Sequence, residues 1–124
     1  MDEAHTMAAV RYVSLNPVRA GLVGRAEEWA WSSVRAHLKG EDDGLVVVRP
    51  VLDRAGQFRD LLAEDAGQRF DDKFVSLRSS ETTGRPLGTP DFVADLERRL
   101  GRPLARRGRG RKPASAPGDQ LALF

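Results

Sequence analysis

The chain has 124 residues, no cysteine, 40% hydrophobic and 31% charged residues, and a formal charge of +2. That length holds one modest domain or part of a larger one, and the lack of cysteine excludes disulfides and thiolate metal sites. The longest clean aliphatic run, Leu45 to Val48, is too short to span a bilayer, and the acidic opening Met1-Asp2-Glu3 is unlike the basic start of a signal peptide. A soluble, cytoplasmic protein with no membrane partner is therefore expected. The small net charge hides an asymmetry: residues 1–88 hold 12 Lys/Arg against 14 Asp/Glu, a sum of -2, and residues 89–124 hold 8 against 4, a sum of +4.

In chain order, Asp2 is placed to cap a helix that starts at Glu3. Ala4, Met7, Ala8, Val10, Val13 and Leu15 give that helix an apolar side. Pro17 has no N–H and disfavours helical geometry at Asn16, so the helix is expected to stop there. Val18 to Val23 then reads as a turn and loop laying Val18, Leu22 and Val23 on the core. Ser32 or Ser33 can cap a brief helix through Leu38, and Lys39 to Gly44 reads as a surface loop. Leu45 to Val48 is β-branched and could be extended, although one strand makes no sheet.

Helices are expected from about Asp53 to Ala63, carrying Phe58, Leu61 and Leu62, and from about Gln68 to Ser79, carrying Phe70, Phe74, Val75 and Leu77. Gly84-Arg85-Pro86-Leu87-Gly88 is a turn. Thr89 caps a last helix with Pro90 at its first position, Phe92, Val93, Leu96 and Leu100 on one face, and Gly101 as its stop. Beyond Pro103 the composition is that of a disordered tail. The expected fold class is mainly α: a small helical domain with a disordered basic C-terminal tail. It divides into 1–23, a tyrosine-bearing helix and its following turn; 24–102, a helical extension; and 103–124, the tail.

Tyr12 is the single tyrosine, and Asn16 lies one helical turn further on. At this spacing a phenol and an amide share a helix face. A tyrosine that attacks phosphorus needs a divalent cation on the scissile phosphate, and an amide oxygen is a suitable hard ligand. A half-buried packing tyrosine followed by a C-capping asparagine has the same pattern. The segment Arg11-Tyr12-Val13-Ser14-Leu15-Asn16-Pro17-Val18-Arg19-Ala20-Gly21-Leu22-Val23, then Glu28-Trp29-Ala30-Trp31-Ser32-Ser33, then Thr83-Gly84-Arg85-Pro86-Leu87-Gly88, resembles the REP-associated tyrosine transposases of the single-strand (HUH) superfamily. The resemblance spans roughly residues 2–112. It implies the nucleophile helix and C-terminal helical extension of an α+β transposase. It further implies Tyr12 as the residue that cleaves single-stranded or hairpin DNA and becomes joined to its 5′ phosphate. By the related single-strand transposases, the resemblance also implies Asn16 as a ligand of a divalent metal, Mg or Mn.

One departure is large. The family carries a His-hydrophobic-His metal pair ahead of the tyrosine helix, whereas this chain has only His5 and His37. His5 lies near the face of Tyr12, and His37 reads as a surface histidine. The expectation is a C-terminal transposase portion that does not cleave DNA alone, with the histidine pair on another segment or a separate chain carrying the HUH domain. The alternative is a non-catalytic adaptor binding DNA and the sliding clamp, or a decayed fragment.

Arg106, Arg107, Arg109, Arg111 and Lys112 alternate with glycine in a pattern suited to phosphate contact, and Arg98, Arg99 and Arg102 could extend the stripe. A solubilising tail is the plainer reading of the same residues. Trp29 and Trp31 could stack on unpaired bases, with core packing the better expectation. The closing Gln120-Leu121-Ala122-Leu123-Phe124 resembles the pentapeptide by which bacterial replication proteins dock on the sliding clamp. Leu121, Leu123 and Phe124 would be its apolar anchors and Gln120 its directional hydrogen-bonding group. A tail folded back onto the core is the other reading.

Overall fold

Asp2 caps a long first helix, α1 (Glu3–Arg19): its extended backbone leaves the carboxylate free to accept the His5 N–H at 2.9 Å. The structure, a computed structural model, describes residues 1–63, 68–105 and 110, and for 68–71 the backbone alone. After α1 come a 3-10 turn (Ala26–Glu28) and five further helices among the described residues. These are α2 (Val34–Lys39), α3 (Arg49–Ala55), α4 (Phe58–Ala63), α5 (Gln68–Glu81) and α6 (Pro90–Leu100). The protein is mainly helical, with no strand among the described residues. No described helix is long and apolar enough to cross a membrane.

The core forms on two sides of α1. On one side Ala26, Val34, Phe58 and Leu61 are buried, with Met7, Val10, Leu15 and Val18 of α1 packed against them. On the other, Ala8, Phe74 and Leu77 are buried with Ala9, Tyr12 and Leu87 around them. The long helix is thus the wall shared by both clusters, which is why it packs on α3, α4, α5 and the 3-10 turn. At its far end α6 is tied to α1 by polar contacts: the Thr89 N–H donates to Asp2 Oδ2 at 2.7 Å and the Asp2 N–H to the Leu87 carbonyl at 3.3 Å.

Several expectations hold. Thr89 caps α6 through its hydroxyl, Pro90 opens it, and Gly101 ends it in the left-handed conformation at φ 62°. Of the two candidate serines, Ser33 takes the N-cap position of α2 without a side-chain bond, and Ser32, one residue earlier, accepts the Val34 N–H at 3.1 Å. α5 begins at Gln68 as expected and runs to Glu81.

Other expectations are corrected. α1 does not stop at Asn16 but passes through Pro17 to Arg19. The fixed φ of proline suits a helix, and the lost bond would have reached the carbonyl of Val13, a residue exposed to water. The Ala20 N–H still closes on Asn16 O at 2.9 Å, and Gly21 at φ 70° turns the chain away. The single helix expected over 53–63 is two, broken at Gly56. Leu45 to Val48 is no strand. The carboxylates of Asp42 and Asp43 take the N–H groups of Leu45, Val46 and Val48, the donors that a neighbouring strand would otherwise need to satisfy. Leu22 is exposed rather than laid on the core, and His37 is buried rather than on the surface.

Candidate functional site

Tyr12 lies half-buried at the centre of α1. Its ring meets Phe74 of α5 edge-on, with centroids 5.2 Å apart and planes at 71°. Seven residues on, two helical turns along the same face, Arg19 carries its guanidinium to 5.0 Å from the Tyr12 ring and 5.2 Å from that of Phe74. No group among the described residues hydrogen-bonds the Tyr12 hydroxyl. The ring borders an apolar groove of about 580 Å³ between α1, the end of α5, the turn at 84–87 and α6, where Leu77, Pro86, Leu96 and Leu104 also lie.

Asn16 is exposed and lines a different groove, of about 520 Å³, with Pro17, Trp29, Trp31, Ser32 and Ser33. Val13 stands between the two and borders both. The shared helix face therefore does not bring phenol and amide to one point. Four residues advance a helix by slightly more than a turn, and the Tyr12 ring leans toward Phe74 while Asn16 falls toward the tryptophans.

A divalent cation has a poor donor set here. The groove around Asn16 adds serine hydroxyls but neither a carboxylate nor an imidazole, and no cluster of three His, Asp or Glu exists among the described residues. His5 is engaged elsewhere, its Nδ1 at 2.6 Å from Asp2 Oδ1. His37 is buried, its Nδ1 at 2.8 Å from the Ser33 carbonyl and its ring stacked on Phe58 at 4.8 Å. The residues present do not fit the metal that the family resemblance implies.

Among the basic candidates, Arg98 and Arg99 are exposed and share one partner. Asp95 Oδ1 lies 3.0 Å from Arg98 Nη2, and Asp95 Oδ2 lies 2.7 Å from Arg99 Nε. Arg102 sits on the rim of the Tyr12 groove. Beyond it, Glu97 of α6 accepts the N–H groups of Leu104 at 2.7 Å and Ala105 at 3.0 Å, bonds that hold its carboxyl below the usual carboxylate range. Arg106, Arg107, Arg109, Arg111, Lys112, Gln120, Leu121, Leu123 and Phe124 lie outside the described residues.

The tryptophans divide. Trp29 is half-buried, but Trp31 is 87% exposed, so core packing fails for the second. Two features were missed in the sequence. Arg19 had a readable signal, the i to i+7 spacing from Tyr12. The exposure of Trp31 had none, since indole area alone favours burial.

Compared with protein families, curated proteins and solved structures, the chain matches none.

Proposed function

We propose that this chain carries the nucleophile helix of a single-strand DNA transposase of the REP-associated tyrosine class, and that by itself it binds DNA without cutting it. The observation that supports this most is the placement of Arg19 beside Tyr12. A phosphate approaching the phenol would meet a guanidinium, the group best suited to a phosphate. Attack by the Tyr12 oxygen on phosphorus would form a phosphotyrosine and release the 3′ oxygen of the neighbouring nucleotide. The metal-binding histidines would come from another segment or a separate chain, acting in the cytoplasm on single-stranded or hairpin DNA. Arg98, Arg99, Arg102, Arg106, Arg107, Arg109, Arg111 and Lys112 would hold phosphates. Gln120, Leu121, Leu123 and Phe124 would recruit the sliding clamp.

The test is incubation with a labelled REP-type hairpin and magnesium or manganese. No covalent adduct is expected from the chain alone. An adduct lost in Tyr12→Phe would overturn the claim that it cannot cut unaided. Failure of a supplied HUH domain to give a Tyr12-dependent adduct would count against the nucleophile role.

A second function, a non-catalytic adaptor between DNA and the sliding clamp, is favoured by the separate grooves of Tyr12 and Asn16. Deleting Leu123 and Phe124 should then abolish clamp pull-down, and unchanged capture would reject it. DNA affinity should fall with salt as phosphates are neutralised; a flat dependence would remove the basic residues from either function.

A further inference from the structure

The groove beside Tyr12 is apolar and open to water. Val13 on its wall is 67% exposed, and Met1 and Leu100 are each 55% exposed. Its outer wall, α6, contributes no residue to either buried cluster, although Leu96 and Leu100 face the groove. Neighbouring exposed apolar side chains mark a docking surface more often than single ones do.

The course of the chain names the occupant. Leu104 lines the groove, and Glu97 fixes it there by accepting the N–H groups of Leu104 and Ala105. Everything from residue 106 onward is therefore tethered at the groove's own rim. Residues 106–120 separate Ala105 from Leu121, and fifteen residues reach about 50 Å when extended, ample for the chain to turn back. Such a tether presents its far end at roughly millimolar concentration, an advantage no separate protein has. Within 106–124 the large apolar residues are Leu121, Leu123 and Phe124 alone. They would otherwise stand in water, as the groove does.

The charges agree with this occupant. Arg85 and Arg102 line the groove and also border the cleft that holds Pro103 and Ala105, where the chain leaves. Both are exposed, and neither meets a carboxylate among the described residues. Asp119 is the one acidic residue of 106–124, and it directly precedes the apolar group. The basic block 106–112 would be repelled by the same two arginines, so the segment beyond it is the part suited to return. We infer that Leu121, Leu123 and Phe124 dock in the Tyr12 groove of their own chain, with Asp119 against Arg85 and Arg102. The contact is autoinhibitory: it covers Tyr12, and it withholds the segment from any other protein.

This docking requires neither a nucleophilic Tyr12 nor a sliding clamp, and its test uses neither. The parent chain has no cysteine, so Ala122→Cys gives the full chain a single spin-label site. The label should broaden the methyl NMR signals of Leu77, Leu96 and Leu100 and spare Val34, which belongs to the other cluster. Leu123→Ser with Phe124→Ser should abolish the broadening at unchanged helical circular dichroism. Arg85→Ser with Arg102→Ser should weaken it severalfold. Deleting residues 119–124 should speed nitration of Tyr12, the sole tyrosine, severalfold. Methyl signals of Leu77, Leu96 and Leu100 that the label leaves sharp would overturn the proposal. So would broadening of Val34 to the same degree. Broadening that passes from spin-labelled chains to separate isotope-labelled ones, and grows with concentration, would overturn it in favour of contact between copies.

Discussion

At the first turn of α1 a single carboxylate accepts the His5 N–H and meets the His5 ring on one oxygen, and accepts the Thr89 N–H on the other. Partial burial pushes the Asp2 carboxyl up, but the bonds from His5 and Thr89 and the charge of the imidazole outweigh it and hold the pKa at about 2 against 3.8. A carboxyl bound more tightly to its proton when unfolded stabilises the fold above its unfolded value. That contribution is complete above about pH 4 and disappears as pH falls through about 2. Asp2→Asn should therefore lower the melting temperature at pH 7 and differ little from the parent near pH 2. The loss at pH 7 should be about 1–2 kcal/mol, from the lost carboxylate charge, since asparagine still caps the helix. A difference that stays constant over that range would refute the linkage. The Tyr12 hydroxyl, by contrast, has no partner among the described residues, so Tyr12→Phe should change stability by less than about 0.5 kcal/mol. Tyr12→Ala should cost about 1 kcal/mol or more, because the edge-on pair with Phe74 goes. Thermal unfolding of the two variants checks this.

At the scale of elements, stop signals decided which expectations survived. Thr89, Pro90 and Gly101 bound α6 because a cap, a first-turn proline and a left-handed glycine act through local backbone chemistry that the sequence displays. Pro17 was misleading for a reason beyond its neighbours: the carbonyl it orphans belongs to an exposed residue, so the helix tolerates it. Gly56 was the reverse case, a break hidden inside an apparently continuous helical pattern. Its φ of 63° and ψ of -108° lie where residues with a Cβ rarely go, and a Cβ there would meet no atom within 4 Å. The cost of Gly56→Ala is thus purely conformational, on the order of 1–3 kcal/mol. Chemical denaturation should show a lower midpoint with an unchanged slope. A neutral result would mean that α3 and α4 can join into one helix after all. Gly88 makes the contrasting case, because a Cβ there would lie 2.3 Å from Phe92 and the clash is steric.

Across the whole molecule the two clusters could be read only in part. The apolar residues of α1 were visible, yet their split between two opposite packings depends on partners such as Phe58 and Phe74, forty and more residues away, which periodicity does not name. Tyr12 and Asn16 illustrate the same limit, since spacing puts them on one face but the partners Phe74 and Trp31 draw them to separate grooves. The residue between the clusters is Arg11, a charged side chain only 4% exposed. Its Nε donates to the Leu61 carbonyl at 2.9 Å, in the last turn of α4 where helix carbonyls lack intrahelical partners. Its guanidinium also lies 5.8 Å from the Phe74 ring, so it touches a member of each cluster. Arg11→Met keeps an apolar stem of similar reach but leaves that carbonyl without the donor. The expected cost is about 1–3 kcal/mol, the usual range for stranding a buried polar group. If Arg11 couples the clusters, the urea midpoints followed by tryptophan fluorescence, on the side of Ala26, and by Tyr12 fluorescence, on the side of Phe74, should fall together. Midpoints that separate in the variant would show that the two halves unfold independently once Arg11 is gone. A midpoint that moves on only the Tyr12 side would place the weight of Arg11 on its Phe74 contact and not on the Leu61 carbonyl.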